Sequence, residues 1–119
     1  MARNAPTIDA YGDGGFRLAG ARHDGSVLIV RDEPHSWGVK AMADLSLADF
    51  APVIEAGAAD VEFVLLGTGA RNALPSREIR EGLRAAGMGL EFMDTAAAAK
   101  LYNLLTSEGR RLAAALIAV

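Results

Sequence analysis

Apolar runs and glycine turns alternate in the first third of the chain and predict short β-strands. Asp13-Gly14-Gly15 separates the run Thr7–Tyr11 from Phe16–Ala19, and Asp24-Gly25 separates the latter from Ser26–Val30. Asp-Gly between apolar runs is typical of two-residue hairpin turns, because both central residues need positive φ. We therefore expect a β-hairpin or meander at the amino end.

The spacing of apolar residues within these strands predicts which faces are buried. Phe16 and Leu18 flank Arg17, so the two apolar side chains should face the core and Arg17 the solvent. Val27–Val30 is apolar without alternation, which predicts a strand covered on both faces. The segment Asp32–Met42 contains Pro34 and Trp37 and leaves room for one more short strand.

From Leu45 onward the apolar positions follow helical and strand spacing in turn. Ser46 and Asp49 form a near-capping box that starts a helix, and Gly57 can end it. Its expected inward stripe is Phe50, Val53 and Ile54. Further predicted elements are a strand at Val61–Leu66, a helix capped by Ser76 with Ile79 and Leu83 inward and Gly87 at its end, and a strand at Leu90–Met93.

The segment Met93–Arg110 carries the most complete helix signature. Asp94 or Thr95 can cap its start, and Gly109 can close it in a left-handed conformation. Lys100, Asn103 and Ser107 fall at steps of three and four and share one face. The remaining faces are largely apolar, so we expect this helix to be packed over most of its circumference.

The last apolar run, Leu112–Val119, suits a strand better than a helix. Its alanines favour helix, but Gly109 resets the chain and a β-α-β-α-β order closes into one sheet. The predicted fold class is therefore α/β: a single domain, residues 1–119, with an N-terminal hairpin or meander followed by β-α-β-α-β units in a mixed sheet flanked by helices. Deleting residues 112–119 should prevent folding.

Composition and charge narrow the function classes. The chain has 119 residues, 51% hydrophobic and 23% charged, which is typical of a globular domain. A formal charge of −3 and scattered basic residues give no reason to expect nucleic acid. The absence of cysteine excludes thiolate catalysis and disulfides. The amino terminus does not resemble a secretory signal, and no apolar run could span a membrane, so we expect a cytoplasmic protein without membrane insertion.

Three blocks of sequence resemble one small-domain family. The blocks are Met93–Ala97 with Tyr102-Asn103 and Glu108–Arg110; Ile8-Asp9, Tyr11, Gly14–Arg17 and Gly20; and Leu65–Gly69 followed by Pro75, with Trp37 between the last two blocks. The family has no known activity and includes the assembly factor 3 type of mitochondrial respiratory complex I and an adipogenesis-associated protein. The resemblance implies a role in assembling or stabilising respiratory or other membrane complexes. Ala99 and Lys100 stand where members often carry cysteine and arginine, so any role of that thiol or guanidinium is absent or altered.

The loop Gly67-Thr68-Gly69 is the main candidate for binding a small ligand. It follows a predicted central strand, where α/β sheets usually bind ligands, and backbone N–H groups in a glycine turn can cradle an anion. Arg71 and Asn72 could complement the charge. A purely structural turn is the favoured alternative, because the loop matches neither GxGxxG nor a P-loop.

The remaining polar candidates are better explained by structure than by chemistry. Helix capping accounts for Asp94 and Thr95. The carboxylates of Glu91 and Asp94 have no histidine nearby in the sequence that would support general acid–base catalysis. His23 and His35 are isolated, so no metal site is predicted. Asp9 and Arg17, with Tyr11 nearby, can pair across the opening hairpin. These patterns predict no catalytic residue and no cofactor.

Two residues in the apolar parts of the chain have open roles. Trp37 either caps the core, which we favour, or forms an exposed contact patch. The amide of Asn103 must find partners inside an apolar helix, and we hypothesise that it holds the Gly67–Gly69 loop.

The sequence therefore favours a non-catalytic module that binds protein partners and contacts a membrane complex only peripherally. The alternatives are an anion-binding protein or unassigned enzyme that uses the Gly67–Gly69 loop, and self-association through the apolar helix as a homo-oligomer.

Overall fold

The amino-terminal part of the chain forms a small antiparallel sheet. The computed structural model describes residues 5–119. The strands of this sheet, in spatial and chain order, are β1 (Ile8–Gly12), β2 (Gly15–Leu18) and β3 (Ala21–Asp24). Phe16 and Leu18 are buried and Arg17 is exposed, as their alternation predicts. The turn at Asp13-Gly14 has positive φ at both residues, 53° and 77°.

The prediction that Asp24-Gly25 connects β2 directly to the next buried strand is wrong. The turn after β2 is Ala19-Gly20, with φ values of 48° and 84°, and it leads into β3. β3 reads Ala-Arg-His-Asp and is largely exposed, so no apolar pattern marks it in the sequence. Gly25 instead connects the small sheet to the large one.

The large sheet has five strands in the order β5-β4-β8-β6-β7. These strands are β4 (Ser26–Val30), β5 (Glu33–Trp37), β6 (Phe63–Gly67), β7 (Gly89–Met93) and β8 (Leu112–Leu116). β4 runs antiparallel to β5 and β8, whereas β6 runs parallel to β7 and β8. The sheet is therefore mixed, and the predicted fold class is confirmed.

The carboxyl-terminal apolar run is a strand, as predicted, and it lies in the middle of the sheet. β8 lies between β4 and β6 and pairs with both. All five of its residues are buried, and they alternate between the hydrophobic clusters on the two faces. Three of them are alanines, which let the layers on both faces approach the sheet closely.

Helices cover both faces of the large sheet. One face carries α1 (Ala51–Ala56), α2 (Arg77–Ala85) and two short 3₁₀ turns, Met42–Asp44 and Leu47–Phe50; the other carries α3 (Thr95–Ser107) and the small sheet. The predicted capping box between Ser46 and Asp49 is present, and the Ser76 side chain accepts the N–H of Ile79.

The predicted inward stripe of the first helix is correct only in part. Phe50 and Val53 are fully buried, but Ile54 is 36% exposed. The helix contacts the sheet through a narrow stripe that Val53 fills, and Ile54 lies about 100° further around the axis. Ile54 therefore faces solvent.

Candidate functional site

The loop after β6, the main ligand candidate from the sequence, is closed by its own hydrogen bonds. Gly67, Thr68 and Gly69 are all buried. The N–H of Thr68 donates to the carbonyl of Met93 at 2.8 Å, and the N–H of Gly69 donates to Thr95 Oγ1 at 2.9 Å. The Thr68 hydroxyl donates to the carbonyl of Arg71 at 2.6 Å. These donors are engaged within the fold, so they do not form an anion cradle.

Thr95 is the residue that holds this loop, rather than a helix cap. Its side chain is fully buried, and its Oγ1 both accepts the Gly69 N–H and donates to the carbonyl of Ile117 at 2.7 Å. The backbone N–H of Thr95 returns a hydrogen bond to the Gly69 carbonyl at 2.9 Å. Capping is done by Asp94, whose Oδ1 accepts the N–H of Ala97 at 2.9 Å. The expectation that Thr95 also caps the helix is therefore wrong.

The absence of a side chain at Gly67 permits this close contact. A Cβ built there would lie 2.9 Å from Thr95 Oγ1, 3.0 Å from Leu116 Cδ2 and 3.1 Å from Thr95 Cα. These distances are too short for an unstrained Cβ, so any larger residue would push the start of α3 away from the sheet.

The Arg71 carbonyl takes part in closing the loop, but the side chains of Arg71 and Asn72 lie outside it. Both side chains are exposed. The structure thus brings Thr68, Gly69 and Thr95 together and leaves Arg71 and Asn72 at the surface.

The hypothesis that Asn103 holds the Gly67–Gly69 loop is wrong. Its Oδ1 accepts the N–H of Ile8 at 2.8 Å, and its Nδ2 donates to the Ile8 carbonyl at 2.9 Å. Asn103 is eight residues beyond Thr95, about 12 Å further along the helix axis, and lies beside β1 instead.

Trp37 lies in the core. It is 8% exposed and packs edge-on against Phe50, with ring centroids 5.7 Å apart. Its Nε1 donates to the carbonyl of Asp49 at 2.9 Å. This hydrogen bond satisfies the polar end of the ring and ties β5 to the 3₁₀ turn Leu47–Phe50.

Asp9 and Arg17 lie on neighbouring strands, as expected, and meet at the turn after β2. The Asp9 carboxylate accepts the Thr7 hydroxyl and the Gly20 N–H, each at 2.8 Å, while Arg17 Nη1 donates to the Gly20 carbonyl at 3.2 Å. The hydrogen bonds from Thr7 and Gly20, with a smaller effect of the Arg17 charge, lower the pKa of Asp9 below its ordinary value of 3.8. Tyr11, further along β1, is 39% exposed.

The acidic side chains and histidines of the described residues do not meet the requirements of a metal site. Between residues 5 and 119, no group of three His, Asp or Glu side chains could hold a metal ion. Glu91 is exposed, and its expected neighbour Asp94 is engaged as the helix cap.

A groove that the sequence did not reveal lies between the Leu47–Phe50 turn, α1 and the start of α2. It has a volume of about 570 Å³, and its lining includes Leu47, Ile54, Glu55 and Glu78. The sequence pattern missed this groove because Ile54 was assigned to the buried stripe. We call this surface the Ile54 groove.

No helix within residues 5–119 combines the length and the apolar character that crossing a membrane requires.

Comparison with known proteins gives a consistent family match. Residues 8–117 match the family described as "Protein of unknown function (DUF498/DUF598)". An uncharacterized protein of Rhodobacter capsulatus is 41% identical over 110 residues, which are 92% of this chain and 82% of that protein. The human NADH dehydrogenase [ubiquinone] 1 alpha subcomplex assembly factor 3 is 30% identical over 118 residues, 98% of this chain but only 62% of the human protein. The crystal structure of an outer membrane protein from Bartonella henselae matches with a TM-score of 0.89 and 32% identity, covering 100% of this chain and 99% of that one.

Proposed function

Because the chain belongs to the DUF498/DUF598 family of proteins of unknown function, we propose that it is a non-catalytic protein-interaction module that assists the assembly or stability of a respiratory or other membrane complex. The observation that carries the proposal is its similarity to the human assembly factor over 118 residues. Nearly the whole chain takes part in that match, so the shared unit is the entire α/β fold rather than a local motif.

The use of the buried and half-buried polar groups supports a non-catalytic role. Thr95, Asn103 and Asp94 each direct their side-chain hydrogen bonds to the backbone of the fold. Catalytic groups instead need access to a substrate and a pKa suited to proton transfer.

The proposed partner is a protein, and the encounter takes place on the cytoplasmic side at the surface of a membrane complex. This chain would then contact the complex peripherally, without inserting into the bilayer. The chain corresponds to 62% of the human assembly factor, so the role of that whole protein is carried over here only as a proposal.

The test is to delete the gene in the cell that encodes the chain and to quantify assembled respiratory complexes on native gels. We expect at least one membrane complex to decrease and to recover when the wild-type chain is restored. Cross-linking of the tagged chain should recover subunits of that same complex. Unchanged amounts of every respiratory complex, with cross-links only between copies of the chain, would contradict the proposal.

The alternative of an anion-binding protein is tested separately by calorimetric titration of the purified protein with inorganic phosphate. Since the N–H groups of Thr68 and Gly69 donate within the fold, we expect no heat of binding. Saturable binding abolished by Arg71→Ala would favour the alternative.

A further inference from the structure

We propose that the Ile54 groove is the docking site for a basic amphipathic helix of a protein partner. The inference rests on the proposed function and specifies the chemistry of the partner.

The floor of the groove is apolar and accessible. Its apolar lining residues are Leu47, Ala48, Ala51 and Ile54. The first two belong to the Leu47–Phe50 turn, and the other two belong to α1. The groove is open to solvent along its length and has a volume of about 570 Å³. Ile54 is 36% exposed in α1, the helix whose Val53 is fully buried. An apolar side chain from a partner would remove this exposed surface from water.

The walls of the groove are fixed before any partner binds. A Cβ at position 82 would lie 2.4 Å from Leu47 Cδ2, so the glycine in α2 allows Leu47 to pack directly on the helix backbone. On the other side, the capping box between Ser46 and Asp49 fixes the start of the 3₁₀ turn. Because a preformed groove loses little conformational entropy on binding, its apolar area contributes more fully to affinity.

The charge of the rim indicates a basic partner. Two carboxylates, Glu55 and Glu78, line the groove, and no Lys, Arg or His is among its lining residues. Glu78 Oε1 accepts the Leu47 N–H over a long 3.4 Å, and Glu55 is exposed. The formal charge of the whole chain is also negative, −3. Lysine or arginine beside the apolar anchors of a partner would therefore meet complementary charge on approach and when bound.

An amphipathic helix fits both features, because apolar anchors at steps of three and four would enter the groove while basic residues beside them reach the rim. Within residues 5–119 the exposed large apolar side chains outside the groove are Tyr11, Leu74 and Leu104, and of these Leu104 of α3 lies in a helix, four residues after the exposed Lys100. For a second copy of this chain, that contact would be head-to-tail, so it would build a ring or an open chain of copies rather than a two-fold dimer. A separate partner is therefore the occupant we propose.

The experiment selects binders from a random peptide library displayed on phage, using the purified full-length protein. We expect the enriched peptides to combine Leu, Ile or Phe at helical spacing with Lys or Arg. One enriched peptide is then synthesised with a fluorophore, and its Kd is measured by anisotropy. Ile54→Arg and Glu55→Lys should each weaken binding at least about tenfold, and added salt should weaken it further.

Two variants on the opposite face of the sheet serve as matched controls. Leu104→Arg repeats the apolar-to-basic change in α3, and Glu108→Lys repeats the charge reversal at the end of that helix. Both should leave the Kd unchanged. Amide chemical shifts of the wild-type protein should move near residues 46–55 and 78 when the peptide is added, a readout that needs no variant to fold.

Several results would overturn the inference: no enriched peptide, enriched peptides without basic residues, or a Kd that Leu104→Arg changes and Ile54→Arg does not. Self-association in sedimentation that Ile54→Arg and Leu104→Arg both abolish would identify a second copy as the occupant, against our proposal. The proposed function can fail on its own: gene deletion would then leave every membrane complex intact, while the peptide still binds in the groove. Rescue of that deletion by Ile54→Arg as complete as by wild type would reject the groove and leave the proposed function standing.

Discussion

The side-chain amide of Asn103 hydrogen-bonds to both the N–H and the carbonyl of Ile8, as the backbone of a neighbouring β-strand would. Its Oδ1 accepts the Ile8 N–H at 2.8 Å and its Nδ2 donates to the Ile8 carbonyl at 2.9 Å, across 95 residues of sequence. β1 is an edge strand of the small sheet, so this amide satisfies backbone groups for which that sheet supplies no further strand. One side chain thus fastens the small sheet to α3.

Replacing this amide should loosen β1 without affecting the loop after β6. In Asn103→Leu, the Ile8 N–H and carbonyl lose their partners, at a cost of about 1–3 kcal/mol in the free energy of unfolding. Hydrogen exchange measured by NMR should accelerate at Ile8 and stay unchanged at Gly69, whose N–H bonds to Thr95. Lys100→Ala, on the exposed face of the same helix, is the control. Faster exchange at Gly69 with Ile8 unaffected would contradict this assignment.

Removing the hydroxyl of Thr95 should destabilise the protein although the shape of the side chain is kept. Thr95→Val leaves the N–H of Gly69 and the carbonyl of Ile117 buried without their partner, and each such group costs about 1–3 kcal/mol. Urea unfolding measures the loss. Thr95→Ser keeps the hydroxyl and should recover most of the stability; a serine variant as unstable as the valine variant would show that the methyl group matters instead.

A methyl group at position 67 should be costly for steric reasons alone. The added Cβ of Gly67→Ala meets Thr95 and Leu116 at 2.9–3.1 Å, and overpacking of this kind costs about 1–3 kcal/mol. Gly38→Ala is the matched control, since nothing lies within 4 Å of its Cβ. We expect the midpoint of thermal unfolding to fall for the first variant and to hold or rise slightly for the second. Equal midpoints would contradict the close packing of α3 on β6.

The stability that Asp9 contributes should disappear in acid. Its pKa is lowered in the folded state by hydrogen bonds from Thr7 and Gly20 and by the charge of Arg17. A carboxyl group whose pKa is lower in the folded than in the unfolded state stabilises the fold at pH values above the unfolded-state pKa. This stabilisation is lost as the pH falls through the folded-state pKa. Asp9→Asn should therefore be less stable than the wild type at neutral pH, and the difference should vanish well below pH 3.8.

Urea unfolding at a series of pH values provides the measurement for Asp9. Asp24→Asn is the control, because its carboxylate is 90% exposed and its ion pair with Arg22 lies at the surface, where such pairs contribute little to stability. A difference between wild type and Asp9→Asn that persists unchanged in acid would contradict the proposed cause.

Deleting residues 112–119 should prevent folding. The deletion removes β8 from between β4 and β6, which leaves the edges of two buried strands unpaired and opens both hydrophobic clusters. Circular dichroism and dispersion of amide NMR signals report the outcome. A soluble truncated chain that unfolds cooperatively would contradict the prediction, and a full-length Ala114→Asp variant should be severely destabilised for the same reason.

The sequence by itself determined the features that depend on neighbouring residues. The turn at Asp13-Gly14 requires only that these two residues adopt positive φ. Capping by Asp94 requires only an acceptor side chain three residues before the free backbone N–H of Ala97. Continuous apolar runs likewise predicted buried strands, because burial on both faces leaves no place for polar residues.

Only the tertiary structure decided which distant groups meet. Thr95 connects Gly69 to Ile117, and Asn103 connects α3 to Ile8 of β1. No local sequence pattern distinguishes either side chain from a helix cap or a surface residue. The packing of the elements likewise decided that Ile54 is exposed and that the polar segment β3 forms a strand. The sequence of a short helix or of a polar strand does not by itself determine which of its side chains are buried. Local geometry fixes the conformation of a segment, but the partners of a side chain depend on which segments the whole fold brings beside it.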